Sequence, residues 1–345
     1  MAKSEVITFK PKQITKSLLG VLPERARDVI TGRFGLGVSS NKLTLEAIGK
    51  KYGITRERVR QIENYSLTNI RKSKEYEKNK KVFDEVKTLL TSLGGMVSEH
   101  DLLNHVSKDE STQNHIHFLL VVGDDFKKHK EDEEFKHRWH IDEKLSSQVH
   151  ESLRGLYGSL SDDQIVPEGE FIKAFLEHLK GVSEEYKNEE VLKRWLSLSK
   201  NMSKNPLGEW GKSQSPNIKA KGIRDYAFLV IRRHGSPIHF REVAKAIETV
   251  FKKKAHVATT HNELIKDKRF VLVGRGLYAL AEWGYMSGVV KDVIKKILEK
   301  NGPLTKEEII DKVLKERYVK ENTILVNLQN PKFFKKDAEL RYSMI

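Results

Sequence analysis

Residues 43–71, LTLEAIGKKYGITRERVRQIENYSLTNIR, read as two helices joined by a tight turn. The Thr44 hydroxyl is placed to cap a short helix carrying Leu45 and Ile48 on one side, Gly53 to end it in a left-handed turn, and Thr55 to cap a second helix. Along that second helix Val59, Ile62, Ser66, Leu67 and Ile70 recur at three- and four-residue steps, so they form its inward stripe. Arg56, Glu57, Arg60 and Gln61 then face outward. A helix-turn-helix presents one helix to a groove of duplex DNA. These four side chains carry the atoms that read base edges: Arg forks onto guanine, Gln pairs with adenine and Glu accepts from cytosine, each good contact contributing roughly 1–3 kcal/mol of discrimination. The bland alternative is a solvated charged face, against which the turn spacing and the local positive charge both weigh.

The residues around this stretch carry a resemblance. Leu22-Pro23-Glu24-Arg25, Arg33-Phe34-Gly35, Thr44-Leu45-Glu46 with Ile48-Gly49, and above all Thr55-Arg56-Glu57-Arg58-Val59-Arg60-Gln61-Ile62-Glu63 resemble region 4 of the primary bacterial sigma factors, over residues 22–72. The resemblance implies recognition of a −35-like promoter element in double-stranded DNA and docking on the flap of RNA polymerase. It implies Arg56, Glu57, Arg60 and Gln61 as base readers and Lys51, Thr55 and Arg58 as phosphate contacts. The chain departs from the family's basic, alanine-rich helix end, having Asn64, Tyr65, Ser66, Thr68 and Asn69 there. Nothing later resembles the aromatic-rich domain with which full sigma factors melt a promoter.

Composition bounds the rest. A chain of 345 residues suffices for several small domains. Cysteine is absent, which rules out disulfides and cysteine-ligated zinc and fits a reducing cytoplasm. No apolar run approaches the roughly 18 residues of a membrane span, and the first ten residues lack a signal-peptide core, so a soluble cytoplasmic protein is expected. Charge is uneven: residues 1–81 carry 19 Lys+Arg against 8 Asp+Glu, residues 82–218 carry 17 against 25, and residues 219–345 carry 27 against 15. Basic ends suit a polyanion; the acidic middle does not.

In chain order, residues 1–21 form a leader in which Ile14, Leu18 and Leu19 begin a short helix, and residues 22–76 the helix-turn-helix domain. The charged run after Arg71, KSKEYEKNKK, reads as an exposed helix or linker. Then one plan repeats: an apolar helix, a Gly-containing turn, a β-like touch, two helices ending near Phe, and a strand pair. The separations Gly94 to Phe126, Gly235 to Phe270 and Gly302 to Phe333 are 32, 35 and 31 residues. That plan is a winged helix, expected at 82–145, 219–285 and 287–345, with a degraded copy at 147–212 using Trp195 and Trp210 as packing aromatics. Within 219–285, HFREVAKAI (His239–Ile247) and DKRFVLVGRGLYAL (Asp267–Leu280) are similar to the HARE helix-turn-helix family and the amino-terminal domain of the RNA polymerase delta subunit. This implies a winged helix in DNA- or polymerase-associated proteins. The fold class is therefore mainly α: a helix-turn-helix followed by tandem winged-helix modules with small β-hairpin wings. Lys252, Lys253 and Lys254 before the third helix of this module, and Arg275 at its wing tip, are the secondary DNA contacts expected.

Catalytic signatures are missing. No Walker loop, dinucleotide glycine fingerprint or G-x-S-x-G elbow occurs, and the chain reads as non-enzymatic, without cofactor. Metal binding is the strongest temptation, at His115, His117, His129, His137 and His140, where His137 and His140 would share a helix face. Without H-E-x-x-H or a partner at motif spacing, no metal is expected. The acidic Glu131-Asp132-Glu133-Glu134 reads as a solvated turn. Three functions fit these residues: a sequence-specific transcription regulator contacting RNA polymerase, a divergent sigma initiation factor, and a scaffold or restriction-associated protein whose winged helices bind proteins.

Overall fold

Helical spacing of apolar residues governs the first ninety positions, which fold as α1 (Pro11–Leu19), α2 (Glu24–Phe34), α3 (Leu45–Tyr52), α4 (Arg56–Arg71), α5 (Lys74–Lys78) and α6 (Lys80–Ser92). The structure, a computed structural model, describes residues 7–345. The chain divides into two units, one holding the residues through Asp162 with Val166–Ser203 and Trp210–Ser213, the other holding Asp163–Ile165, Lys204–Glu209 and Gln214–Ile345. It is mainly helical with small antiparallel sheets.

In the first unit α6 leads into β1 (Met96–Ser98), α7 (Glu99–Val106), α8 (Glu110–Val122), β2 (Lys127–His129) and β3 (Arg138–His140). The sheet order is β1-β3-β2, with Trp139 of the central strand opposite both Val97 and Lys128. Next come α9 (Glu143–Ser159), α10 (Glu168–His178), α11 (Glu189–Leu196), β4 (Met202–Lys204) and β5 (Trp210–Lys212), with a single antiparallel bridge from Val166 to Trp210 standing where a first strand would be. The second unit holds α12 (Ile223–His234), β6 (Ile238–His239), α13 (Phe240–Phe251), α14 (Val257–Lys266), β7 (Phe270–Leu272) and β8 (Leu277–Leu280), in sheet order β6-β8-β7. It continues with α15 (Val290–Asn301), α16 (Lys306–Glu316), α17 (Glu321–Leu328) and the hairpin β9 (Phe334–Lys336) and β10 (Tyr342–Met344), Leu304 bridging to Tyr342. Helix, strand touch, two helices and a hairpin thus recur along the chain.

Three expectations change. Residues 11–19 are not an appended leader: Leu18 is fully buried in one core with Ile30, Phe34, Leu67 and Ile70 of the helix-turn-helix and Phe118, Leu119 and Trp139 of the first winged helix. A segment of about 50–60 residues buries too little surface to be secure alone, and the two segments share an interior. The run after Arg71 is helical, one of the two forms expected, but it is anchored on one side. Ser73 caps α5, Tyr76 is buried with its ring centroid 4.7 Å from that of Phe83, and its hydroxyl donates to Asp124. Five lysines and two glutamates around that tyrosine hid it. Finally, His137 and His140 do not share a helix: His140 ends β3, and His137 lies exposed before it, its Nδ1 accepting from the Glu131 backbone at 2.9 Å.

The module of α9 to α11 has its own core, built on Leu153, Phe171, Phe175 and Trp195, and it draws Met96 and Phe135 from the preceding winged helix. The indole of Trp195 donates to the Met96 carbonyl at 3.1 Å, and Trp210 stacks on Phe171 at 5.1 Å. The acidic turn is solvated on one side only, because Glu131 meets Lys200, Asp132 meets Arg138 and Glu134 meets Arg154 at 2.7–3.0 Å. Among the described residues no helix is long and apolar enough to cross a membrane.

Candidate nucleic-acid interface

The geometry of α3 and α4 follows from a few local contacts. Thr44 Oγ1 accepts from the Ala47 amide at 3.1 Å and Thr55 Oγ1 from the Arg58 amide at 3.2 Å, satisfying first-turn donors that would otherwise lack a partner. Gly53 ends α3 with φ 65°, a conformation that penalises any side chain. Gly49 lets the turn close, since a Cβ there would lie 2.6 Å from the Ile54 carbonyl oxygen. Val29, Ile48 and Val59 form a small core beneath, and Val59, Ser66, Leu67 and Ile70 are all buried, as the stripe requires.

The opposite face of α4 is open. Arg56, Glu57, Arg58, Arg60 and Gln61 are all exposed. They are ordered among themselves. Arg60 donates to Glu57 through Nε at 2.9 Å and Nη2 at 2.7 Å, and Arg58 Nη1 donates to Gln61 Oε1 at 3.0 Å. Hydrogen bonding from Arg60 holds the Glu57 carboxyl below its ordinary range and raises the guanidinium in turn. Such exposed i,i+3 pairs add little to the stability of the helix. Their consequence is orientation: two planar groups are displayed in set positions before any partner arrives. The i,i+3 spacing that pairs them is legible in the sequence, although outward direction alone was read from it.

Beside this face Arg33 reaches from α2 to Glu63 at 3.4 Å and to the Leu43 carbonyl, and it borders a shallow hollow with Thr44, Glu46 and Arg56. Sequence reasoning passed over Arg33 as a family marker only. Lys51 is exposed with Nζ 5.1 Å from the centre of the Tyr52 ring, a cation on the same helix pair. The far end of α4 has another task. Arg71 donates to the Val121 and Val122 carbonyls at 2.7 and 2.9 Å, satisfying the terminal acceptors of α8, and pairs with Asp124 at 3.3 Å. Ser66 is fully buried with its hydroxyl on the Ile62 carbonyl.

Residues 18–72 match the family model of sigma-70, region 4. This segment is a sigma-70 region 4. Its match starts inside α1, in keeping with the burial of Leu18 and Leu19 in the core that also holds Ile30 of α2 and Ile70 of α4. The region 4 segment is 53% identical over 53 residues to the RNA polymerase sigma factor RpoS of Coxiella burnetii, covering 15% of each chain. It is 48% identical over 56 residues to the sigma factor RpoD of Helicobacter pylori, covering 16% of this chain and 8% of the relative. Over 70 residues it is 34% identical to the principal sigma factor HrdD of Streptomyces viridifaciens, covering 20% and 21%. The chain thus spans about a fifth or less of the length of these relatives.

Outside region 4, the other expected DNA contacts lie in the second unit, where all four cations are exposed. Lys252 ends α13 in a left-handed conformation, φ 53°, Lys253 sits 4.6 Å from the centre of the Tyr226 ring, and Lys254 follows before α14. Arg275 occupies the turn between β7 and β8.

Proposed function

We propose that the protein is a sequence-specific, non-enzymatic DNA-binding transcription regulator of the cytoplasm. It reads a −35-like element through the first two turns of α4 and contacts RNA polymerase. The observation that carries this is the exposed face of Arg56, Glu57, Arg60 and Gln61 on a rigid, capped helix. Lys51, Arg58 and the Thr55 end of α4, where the helix dipole favours an anion, would hold phosphate. The HARE-like winged helix of the second unit, with Lys252, Lys253, Lys254 and Arg275, supplies further contacts to the backbone of the duplex.

Selection of bound sites from random duplexes, with and without core RNA polymerase, tests the reading. An enriched −35-like sequence supports it, and enrichment that sharpens with polymerase supports the second partner. Binding that ignores sequence in both arms overturns it.

A further inference from the structure

We propose that His129, His140 and Glu143 form a binding site for a divalent cation of the zinc class, which clamps the wing hairpin of the first winged helix to the start of α9. His129 ends β2 and His140 ends β3, and the register, His129 opposite Arg138 and Lys127 opposite His140, places the two histidines diagonally across one face of the hairpin. Glu143 opens α9 three residues after His140. Its carboxylate lies between the two rings, Oε1 3.5 Å from His129 Nε2 and Oε2 3.4 Å from His140 Nε2. One ligand atom from each of the three lies within 4.8 Å of the others. A tetrahedral zinc with bonds of about 2.0–2.2 Å sets its ligand atoms about 3.3–3.6 Å apart, a separation that each histidine already has from one oxygen of the carboxylate, His129 from Oε1 and His140 from Oε2.

A second observation points the same way. His140 is almost wholly buried, and the buried Nε2 of His129, the nitrogen that faces Glu143, has no hydrogen-bond partner. Buried polar atoms are nearly always satisfied, and this orphaned nitrogen calls for an explanation. The third histidine of the cluster is already committed: His150 Nε2 accepts from Arg138 Nε at 2.7 Å, and the Arg138 charge is answered by Asp132 at 3.0 Å. Two imidazoles and one carboxylate suit zinc, nickel, copper or iron over magnesium or calcium, and three protein ligands leave a fourth position for water. The rings of His129 and His140 stack at 4.5 Å with 17° between their planes. Convergence on one ion therefore requires His129 to tilt, and its side chain, 33% exposed, has solvent to turn into.

The test is calorimetric titration of the chelator-treated full-length chain with Zn2+, alongside Co2+ absorption and melting. The expected result is one site per chain, a visible Co2+ band and a melting point raised by Zn2+. Glu143→Gln and His129→Gln, both at partly exposed positions, each weaken binding by about tenfold or more and abolish the shift in melting, while keeping the wild-type far-ultraviolet circular dichroism. His137→Gln, an exposed histidine of the same hairpin, leaves affinity unchanged. Zinc affinity equal in wild type and both ligand variants, or no binding by the wild type, overturns the site.

Discussion

Arg60 and Gln61 carry the sharpest prediction at the scale of single residues. Each is exposed and each is held by a neighbour three positions away. If they read bases, Arg60→Ala and Gln61→Ala each lose roughly 1–3 kcal/mol of discrimination, about 5- to 150-fold in specific binding, with nonspecific affinity much less affected. Competition binding with specific and scrambled duplexes measures both; a footprint unchanged by either substitution would refute the assignment. A second residue answers to pH. His117 lies between Phe34 and Trp139 with Glu99 3.5 Å away. Burial, aided by Lys42, Lys128 and Arg33, pulls it down to about 4 despite the opposing Glu99. The unfolded chain takes up this proton near pH 6.5 while the folded chain does not. Stability is therefore flat above pH 6.5 and falls as the pH drops toward 4. Urea midpoints across that window should show the loss, and His117→Gln should reduce it.

At the scale of elements, capping and core burial make separate claims. Thr55→Ala removes the acceptor that orders the first turn of α4 and should cost about 1 kcal/mol. It should lower the melting point and weaken DNA binding together. Leu18→Ala empties a fully buried position on α1 and should cost about 2–5 kcal/mol, a loss readable in denaturant unfolding. Were residues 11–19 a mere leader the substitution would be silent. Caps, turn glycines and the inward stripe of α4 were legible because each depends on neighbours within four residues. The burial of Tyr76 on α5 was not, because this anchor finds Phe83 and Asp124 only after the chain folds.

At the scale of the whole molecule, the question is whether the basic second unit also grips DNA. Replacing Lys252, Lys253 and Lys254 by Gln in the full chain should flatten the salt dependence of binding by about 0.9 in log–log slope for every phosphate that is no longer neutralised. Affinities measured across a salt series decide it, and an unaltered slope would assign those lysines to another partner. The recurring order of helix, strand touch, two helices and hairpin was visible in the spacing of Gly-containing turns and Phe, since each module must cover its own apolar helix. The sharing of cores was not visible. Trp195 reaching the Met96 carbonyl, 99 residues back, and Arg71 capping α8 are interactions that no local pattern announces.

By itself the sequence determined the helix-turn-helix, its caps and the outward direction of Arg56, Glu57, Arg60 and Gln61, because helical period and turn chemistry are properties of adjacent residues. Only the tertiary structure decided that region 4 shares its interior with the first winged helix, that Arg60 is held by Glu57 through two hydrogen bonds, and that His129 rather than His137 stands beside His140. Strand register and side-chain packing join residues far apart in the chain, and they exist only when the strands have paired.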